Sequence, residues 1–392
     1  MNTGLRRLLC AVAALLAVVS CSTPAPDSAP ARPDASPGAL LGTPADLVST
    51  YAVQQVSSRS LRIRYQSTSG LDKKPTVVSG TLFVPRGDPP PGGWPVASLG
   101  HATAGLQSSC GPSAYPALMG NAGIIATFLT FGYLVVMTDY QGLGTPGPHP
   151  YLEPKSAAYN VIDAVRAARL TVRETSDAWI GYGVSQGGQA VWAANEVVGE
   201  YAPELRLVGT ISVAPPTDLT PLVDAMVDGT LTDDQRSMIP TILLGLQVAH
   251  PELRLSDYLH GDVLRQADVF AGCLSDVALL RGRIAERASA DDFKPSTPAA
   301  AQQLRDWIGQ YTVPSSVSAA PMLVAYGDAD QLVLPQWTAD GVQRACGFGD
   351  VVDVIVAPGQ GHGILDLGSA PAEWTRARFA GEPAPNICVP AQ

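Results

Sequence analysis

Lysine is nearly missing from this chain: only four of its 25 basic residues are lysine, and 35 acidic residues leave a formal charge of -10. With no basic cluster to meet phosphates, nucleic acid is not an expected partner. Beyond the first two dozen residues no apolar run is long enough to cross a bilayer. No pair of cysteines stands at a C-x-x-C spacing, so a structural zinc site is not expected and no metal is assigned.

What is present begins with an address. Arg6 and Arg7 precede the apolar run Leu8 to Val19, which ends in Val18-Val19-Ser20-Cys21. A small residue ahead of a cysteine suits cleavage and lipid attachment, so residues 1–21 read as a lipoprotein-type signal peptide with Cys21 as the anchor to the membrane. The plainer reading is a secretory signal cut nearby; either way the protein is exported, to the cell envelope or beyond it. Residues 22–44, rich in Pro, Ala and Ser at their start, read as a flexible tether.

Once Cys10 and Cys21 are set aside, Cys110, Cys273, Cys346 and Cys388 remain. An even number in an exported protein favours two disulfides, and three pairings are open.

The chemistry gathers at Asp177 to Gln189. A short apolar run, Ala178 to Gly181, passes through Gly183-Val184-Ser185-Gln186-Gly187 into a helical pattern, Gln189 to Tyr201. A serine attacks an acyl carbon only when a sharp strand-to-helix turn lifts it clear of the fold, and glycines two residues either side relieve the crowding such a turn creates. The same turn sets the backbone N–H of Gln186 at a helix start, where it can meet negative charge on a substrate oxygen.

Around this turn the chain has an α/β rhythm. Arg59 to Ser67 and Thr76 to Pro85 suggest an antiparallel start, followed by strands at Trp94 to Leu99, Gly132 to Asp139, Leu205 to Val213, Pro321 to Tyr326 and Val351 to Val356. Helices are expected over Tyr115 to Thr130 and Ser156 to Glu174, the latter capped by Ser156. Strand and helix in alternation mean a mostly parallel central sheet covered on both faces. Between Pro215 and about Ser318 the pattern is helical throughout, so residues 215–318 read as a helical cap inserted into a core made of 45–214 and 319–392. Its Met226, Met238, Ile239, Leu243, Leu244 and Leu246 either line an acyl site or pack as core, and packing is the favoured reading.

A serine hydroxyl is a weak nucleophile without a base, and the base needs an acid to orient it. His362 follows the last strand, beyond both elbow and acid loop, which gives the order Ser, Asp, His. In the loop after Tyr326, Asp330 is preferred over Asp328, which can act as a turn former. The small-residue loop Gly100-His101-Ala102-Thr103-Ala104-Gly105 is the source of a second oxyanion donor, Thr103 first and Ala102 second. His149, in a Gly- and Pro-rich loop, reads as structural or as pocket wall. The reaction so assembled is hydrolysis of a carboxylic ester, whether of a small molecule or a lipid, and needs no cofactor; acyl transfer or peptide cleavage could use the same groups. A non-catalytic lipid-binding lipoprotein on the same scaffold is the reading from another class.

Two stretches, Asp139-Tyr140-Gln141-Gly142-Leu143-Gly144 with His149-Pro150-Tyr151 behind it, and Gly181-Tyr182-Gly183-Val184-Ser185-Gln186-Gly187-Gly188, resemble the secretory lipase family of fungal lipase A and actinobacterial exported lipases. The likeness runs from about residue 45 to the C-terminus. It implies an α/β-hydrolase fold with a helical cap, action on carboxylic esters including those of lipids, and Ser185, Asp330 and His362 as the triad. It further implies disulfides Cys110 to Cys273 and Cys346 to Cys388, and a terminal flap over 371–388 with Trp374, Arg378 and Phe379 near the pocket.

Overall fold

The computed structural model describes residues 35–388; the expected signal peptide and anchor residue Cys21 lie outside them. Nine strands form one sheet: β1 (Ala45–Asp46), β2 (Ser57–Thr68), β3 (Pro75–Pro85), β4 (Trp94–Gly100), β5 (Leu134–Thr138), β6 (Thr175–Val184), β7 (Arg206–Val213), β8 (Met322–Gly327) and β9 (Val352–Ala357). Their order is β1-β2-β3-β5-β4-β6-β7-β8-β9. The first three strands and the β3–β5 junction are antiparallel, and every pairing from β5 onward is parallel. Every residue of β5 is buried, as a strand covered on both faces requires.

Each face of the sheet has its own core. On one side the helices Pro154–Thr171 and Gln186–Tyr201 press Val161, Ile162 and Trp192 against Val96, Val136 and Trp179. Across the sheet Ile125 and Phe128 of the helix Ala122–Thr130, with Trp374 of the helix Ala370–Phe379, meet Ile180, Ile211 and Leu323.

Three expectations change at this level. The long helix starts at Pro154, not Ser156, because Glu153 does the capping: its carboxylate accepts from the N–H of Lys155 and of Ser156 at 3.0 and 2.7 Å. Ser156 instead accepts from the Gly70 N–H. A tether reaching residue 44 runs too far, since Ala35 to Leu41 already bond to β2, with Gly38 N–H on Gln66 and Leu41 N–H on Arg64 carbonyls at 2.7 and 2.8 Å. The third is the C-terminal flap, whose first part is a packed helix, Ala370–Phe379: Trp374 is 6% exposed, Arg378 lies over its ring and the Phe379 ring meets that of Tyr133 at a tilt.

Among the described residues 214–321 there is no strand. The insert holds helices Pro221–Asp228, Asp233–Ala249, Gly261–Arg265, Leu274–Arg287 and Pro298–Gly309. Its Met226, Ile239, Leu243 and Leu246 are buried with Phe270, Phe293 and Trp307 in a core shared with Tyr151, Leu152, Val333 and Trp337 of the body, and Met238 and Leu244 pack at its margin. The packing reading of these side chains therefore describes them, and of the six only Leu246 also borders a gap, a small one beneath the insert.

Two disulfides tie outlying chain to the body. Cys110–Cys273 joins the loop after β4 to the insert, and Cys346–Cys388 holds the C-terminal segment to the helix Pro335–Phe348. Backbone bonds flank the first, Leu106 N–H to Ala271 and Leu274 N–H to Ala104. Closing loops of 163 and 42 residues restricts the unfolded chain strongly. Replacing either pair by serine is expected to lower unfolding free energy in urea by about 3 to 5 kcal/mol. A change below about 1 kcal/mol would show that the bridge is not formed or not stabilising.

Candidate active site

Ser185 stands between β6 and the Gln186–Tyr201 helix with φ 54° and ψ -119°, backbone angles that cost a residue with a Cβ about 1 to 3 kcal/mol. Its own N–H donates to Val213 at 2.8 Å, and its carbonyl receives Gln189 N–H at 3.1 Å, so neighbouring strand and helix hold the turn from both sides. A Cβ on Gly183 would overlap the Gly187 carbonyl, and one on Gly187 would overlap the carbonyl of Gly100. The two flanking glycines are thus demanded by backbone packed on backbone.

The loops after β8 and β9 meet over this turn. His362 places Nε2 2.8 Å from Ser185 Oγ and Nδ1 2.7 Å from Asp330 Oδ2. Asp330 is 1% exposed, and its other oxygen accepts from the N–H of Leu332 and of Val333 at 2.8 and 2.9 Å. Those donors fix the carboxylate, and the carboxylate fixes Nδ1 as the protonated nitrogen, leaving the Nε2 lone pair to face the serine hydroxyl. Asp328 has another task, accepting from Gly359 N–H and so joining the acid loop to the histidine loop.

Beside the serine, the backbone N–H groups of Gln186, Ala102 and Thr103 have no acceptor among the described residues. Thr103 Oγ1 lies 2.6 Å from Tyr151 Oη, which holds that side chain in place. The structure leaves Thr103 and Ala102 equally open as the second donor.

Sequence reasoning missed the support beneath. Asp139, fully buried, accepts from the Ser79 hydroxyl at 2.6 Å, from Ser113 N–H at 2.9 Å and from the Ser113 hydroxyl. Tyr140 donates to the His101 carbonyl at 3.2 Å and lies against the His101 ring, supporting the 100–104 loop from below. His149 Nδ1 donates to the Gln141 carbonyl at 2.8 Å, so its Nε2 accepts from the Gln186 side-chain amide at 3.0 Å. The signal for all of this was the run from Asp139 to Tyr151, whose pairing with Ser79 and Gln186 no local pattern reveals.

A cavity of about 580 Å³ lies next to the site, between the 100–104 loop, Met119 to Thr127, Val184, Leu274 and the 364–372 segment, with residues adjoining Ser185 and His362 in its wall. Of the C-terminal helix only Pro371 and Ala372 reach it. A larger hollow, about 700 Å³, lies elsewhere among Arg166, Arg169 and Tyr201 and shares no residue with the serine's surroundings.

Burial pushes His149 down to about 4, the adjacent His101 adding to the effect, so it is neutral at ordinary pH. The unfolded chain, with histidine near 6.5, binds this proton more readily. The stability owed to neutral His149 is therefore full above about pH 6.5 and lost as pH falls toward 4, a difference of about 2 to 3 kcal/mol. Urea unfolding at pH 7 and pH 4.5 should show wild type losing about that much more than His149→Gln; equal losses would mean the ring is not held neutral.

A secretory lipase family model matches residues 119–386. A secreted triacylglycerol lipase of Malassezia globosa is 23% identical over 355 residues, 83% of this chain and 74% of its own. A probable inactive lipase of Mycobacterium tuberculosis is 33% identical over 182 residues, 42% of this chain and 38% of its own. In fold, the chain is similar to Candida antarctica lipase A in its closed state, with a TM-score of 0.72 at 16% identity over 91% of this chain and 85% of that one. The rice cell wall degrading esterase LipA of Xanthomonas oryzae gives a TM-score of 0.66 at 20% identity, covering 88% and 95%. The chain belongs to the secretory lipase family and is a carboxylic ester hydrolase with the α/β-hydrolase fold.

Proposed function

We propose that this chain is an exported serine lipase or esterase that cleaves lipid esters through an acyl-enzyme on Ser185. The observation that carries the reading is the file of Asp330, His362 and Ser185, joined at 2.7 and 2.8 Å. His362 Nε2 takes the hydroxyl proton as Ser185 Oγ attacks the ester carbonyl, and Asp330 steadies the imidazolium that forms. Charge growing on the carbonyl oxygen is held by the N–H of Gln186, at a helix start, and by that of Thr103 or Ala102. The proton then passes to the leaving alcohol. Water, activated by the same histidine, releases the acid and restores the serine.

The helical insert over 215–318 acts as the cap of this site, and the Cys110–Cys273 bridge limits how far its nearest part can swing. Two disulfides and the secreted relative support export. Cys21 is then the lipid anchor, and the reading predicts that the mature chain from the native host begins at Cys21 and carries acyl groups there, seen by peptide mass spectrometry. A mature chain without acyl groups on Cys21 would remove the anchor from the account.

The relative described as a probable inactive lipase favours one second reading, a lipid-binding protein without turnover. All three side chains of the file are present here and in bonding contact, which speaks for catalysis. Hydrolysis of p-nitrophenyl esters from acetate to palmitate separates the two. Ser185→Ala and Asp330→Asn are each expected to lower kcat by about 10⁴-fold, the second because the histidine loses its tautomer. Wild type no faster than Ser185→Ala on every ester would leave the binding reading in place.

A further inference from the structure

Resting on the proposed acyl-enzyme, we infer that the Thr103 hydroxyl is a further donor to the substrate's carbonyl oxygen, and that Tyr151 and Arg281 are the positioning residues that free its hydrogen for this. Gly100 pairs with Gly183 across the parallel β4–β6 ladder, so Thr103 and Ser185 leave the same end of the sheet, three and two residues further on. Thr103 also borders the cavity that adjoins the reacting groups.

A count of hydrogens shows what the pair can do. Thr103 Oγ1 and Tyr151 Oη lie 2.6 Å apart, and neither oxygen has another partner among the described residues. Two hydroxyls in contact spend one hydrogen on each other and keep one. If Thr103 donates, the spare hydrogen stays on Tyr151, which is 4% exposed, and meets no acceptor there. If Tyr151 donates, the spare hydrogen is on Thr103, beside the cavity. Burying an unbonded polar hydrogen is costly, which favours the second arrangement.

A cation of the insert favours it too. Arg281, in the helix Leu274–Arg287, is 2% exposed and has no carboxylate partner among the described residues. Its Nη2 donates to the Ser237 carbonyl at 2.8 Å and to Thr241 Oγ1 at 2.9 Å, while Nη1 is buried without an acceptor among the described residues. Thr241 and Gly245 are neighbours one turn apart on the helix Asp233–Ala249, and Tyr151 packs so tightly on Gly245 that an added Cβ would stand 2.6 Å from its own. Guanidinium and phenol thus share one face of that helix. A hydroxyl dipole in the field of a cation turns its oxygen toward the charge and its hydrogen away, and the acceptor waiting there is Thr103. Burial pushes the phenol up to about 12, with Thr103 and Arg281 acting the other way, so Tyr151 keeps its proton near neutral pH. When Ser185 Oγ bonds the acyl carbon and its proton passes to His362 Nε2, the carbonyl π pair moves onto oxygen, and the Thr103 O–H joins the backbone donors in meeting it.

The test compares wild type with Thr103→Val, Thr103→Ser, Tyr151→Phe, Arg281→Met and the double variant Thr103→Val with Tyr151→Phe. The measurements are kcat and KM on p-nitrophenyl butyrate, inhibition by an alkyl trifluoromethyl ketone, whose adduct on serine carries the same charged oxygen, and melting temperature. Thr103→Val keeps the side chain's shape and is expected to lower kcat by about 10²-fold with KM little changed, weakening the ketone by a like factor. Thr103→Ser should restore most of that loss. Tyr151→Phe and Arg281→Met should each lower kcat by a smaller factor, and the double variant should be no slower than Thr103→Val alone. Arg281→Met removes an unpaired buried charge, so its melting temperature should be no lower than that of wild type. A merely structural Arg281 would give the reverse, a lower melting temperature at unchanged kcat. Thr103→Val at the wild-type kcat, or slowed with ketone binding intact, would overturn the hydroxyl's part. Tyr151→Phe and Arg281→Met both at the wild-type kcat would overturn theirs. A wild type no faster than Ser185→Ala would overturn the serine mechanism and this inference with it.

Discussion

Three backbones stacked at one point govern the molecule. Gly183, at the end of β6, lies against the carbonyl of Gly187, and Gly187 lies against the carbonyl of Gly100 at the end of β4. Strand, helix and neighbouring strand can come this close only without side chains, and the closeness forces Ser185 into its strained conformation. The same stacking brings the 100–104 loop beside the nucleophile. If the helix stood further off, Ser185, the Gln186 amide and the 100–104 loop would lose their common geometry together.

The remaining parts of the site are carried by separate loops and reach this point by fixed hydrogen bonds. Asp330 is held by two backbone N–H groups and holds His362 in turn, a chain in which each member orients the next. Beneath the 100–104 loop, Asp139 and Tyr140 form a buried polar layer, and His149 connects it to the Gln186 side chain. Burial keeps this layer out of water, where each bond is stronger and each missing partner more costly. Such a layer suits a site whose donors must stay aimed while charge develops.

Much of this was legible in the sequence, for a physical reason. Strands buried on both faces are written as continuous apolar runs, so Leu134 to Thr138 was readable, and a strained elbow needs glycines at fixed offsets, so Ser185 was readable too. His362 and Asp330 follow from chain order, because the loops at one end of a parallel sheet converge. What local pattern does not encode is which partner arrives from far away. Ser79 bonding Asp139, or Glu153 displacing Ser156 as a cap, depends on tertiary contacts and side-chain reach. The Met119 to Thr127 wall of the cavity was hidden for the same reason: Tyr115 to Thr130 has helical composition, yet left-handed Leu118 and Met119 interrupt it before Ala122.

The central claim is a covalent acyl group on Ser185, and it can be seen directly. The enzyme would be mixed with a p-nitrophenyl ester, quenched in acid during the first turnovers, and digested for peptide mass spectrometry. The account predicts a burst of nitrophenol close to one per enzyme and one acyl group on the peptide carrying Ser185, both lost in Ser185→Ala. Steady hydrolysis with no acylated peptide, or an acyl group on another residue, would contradict it.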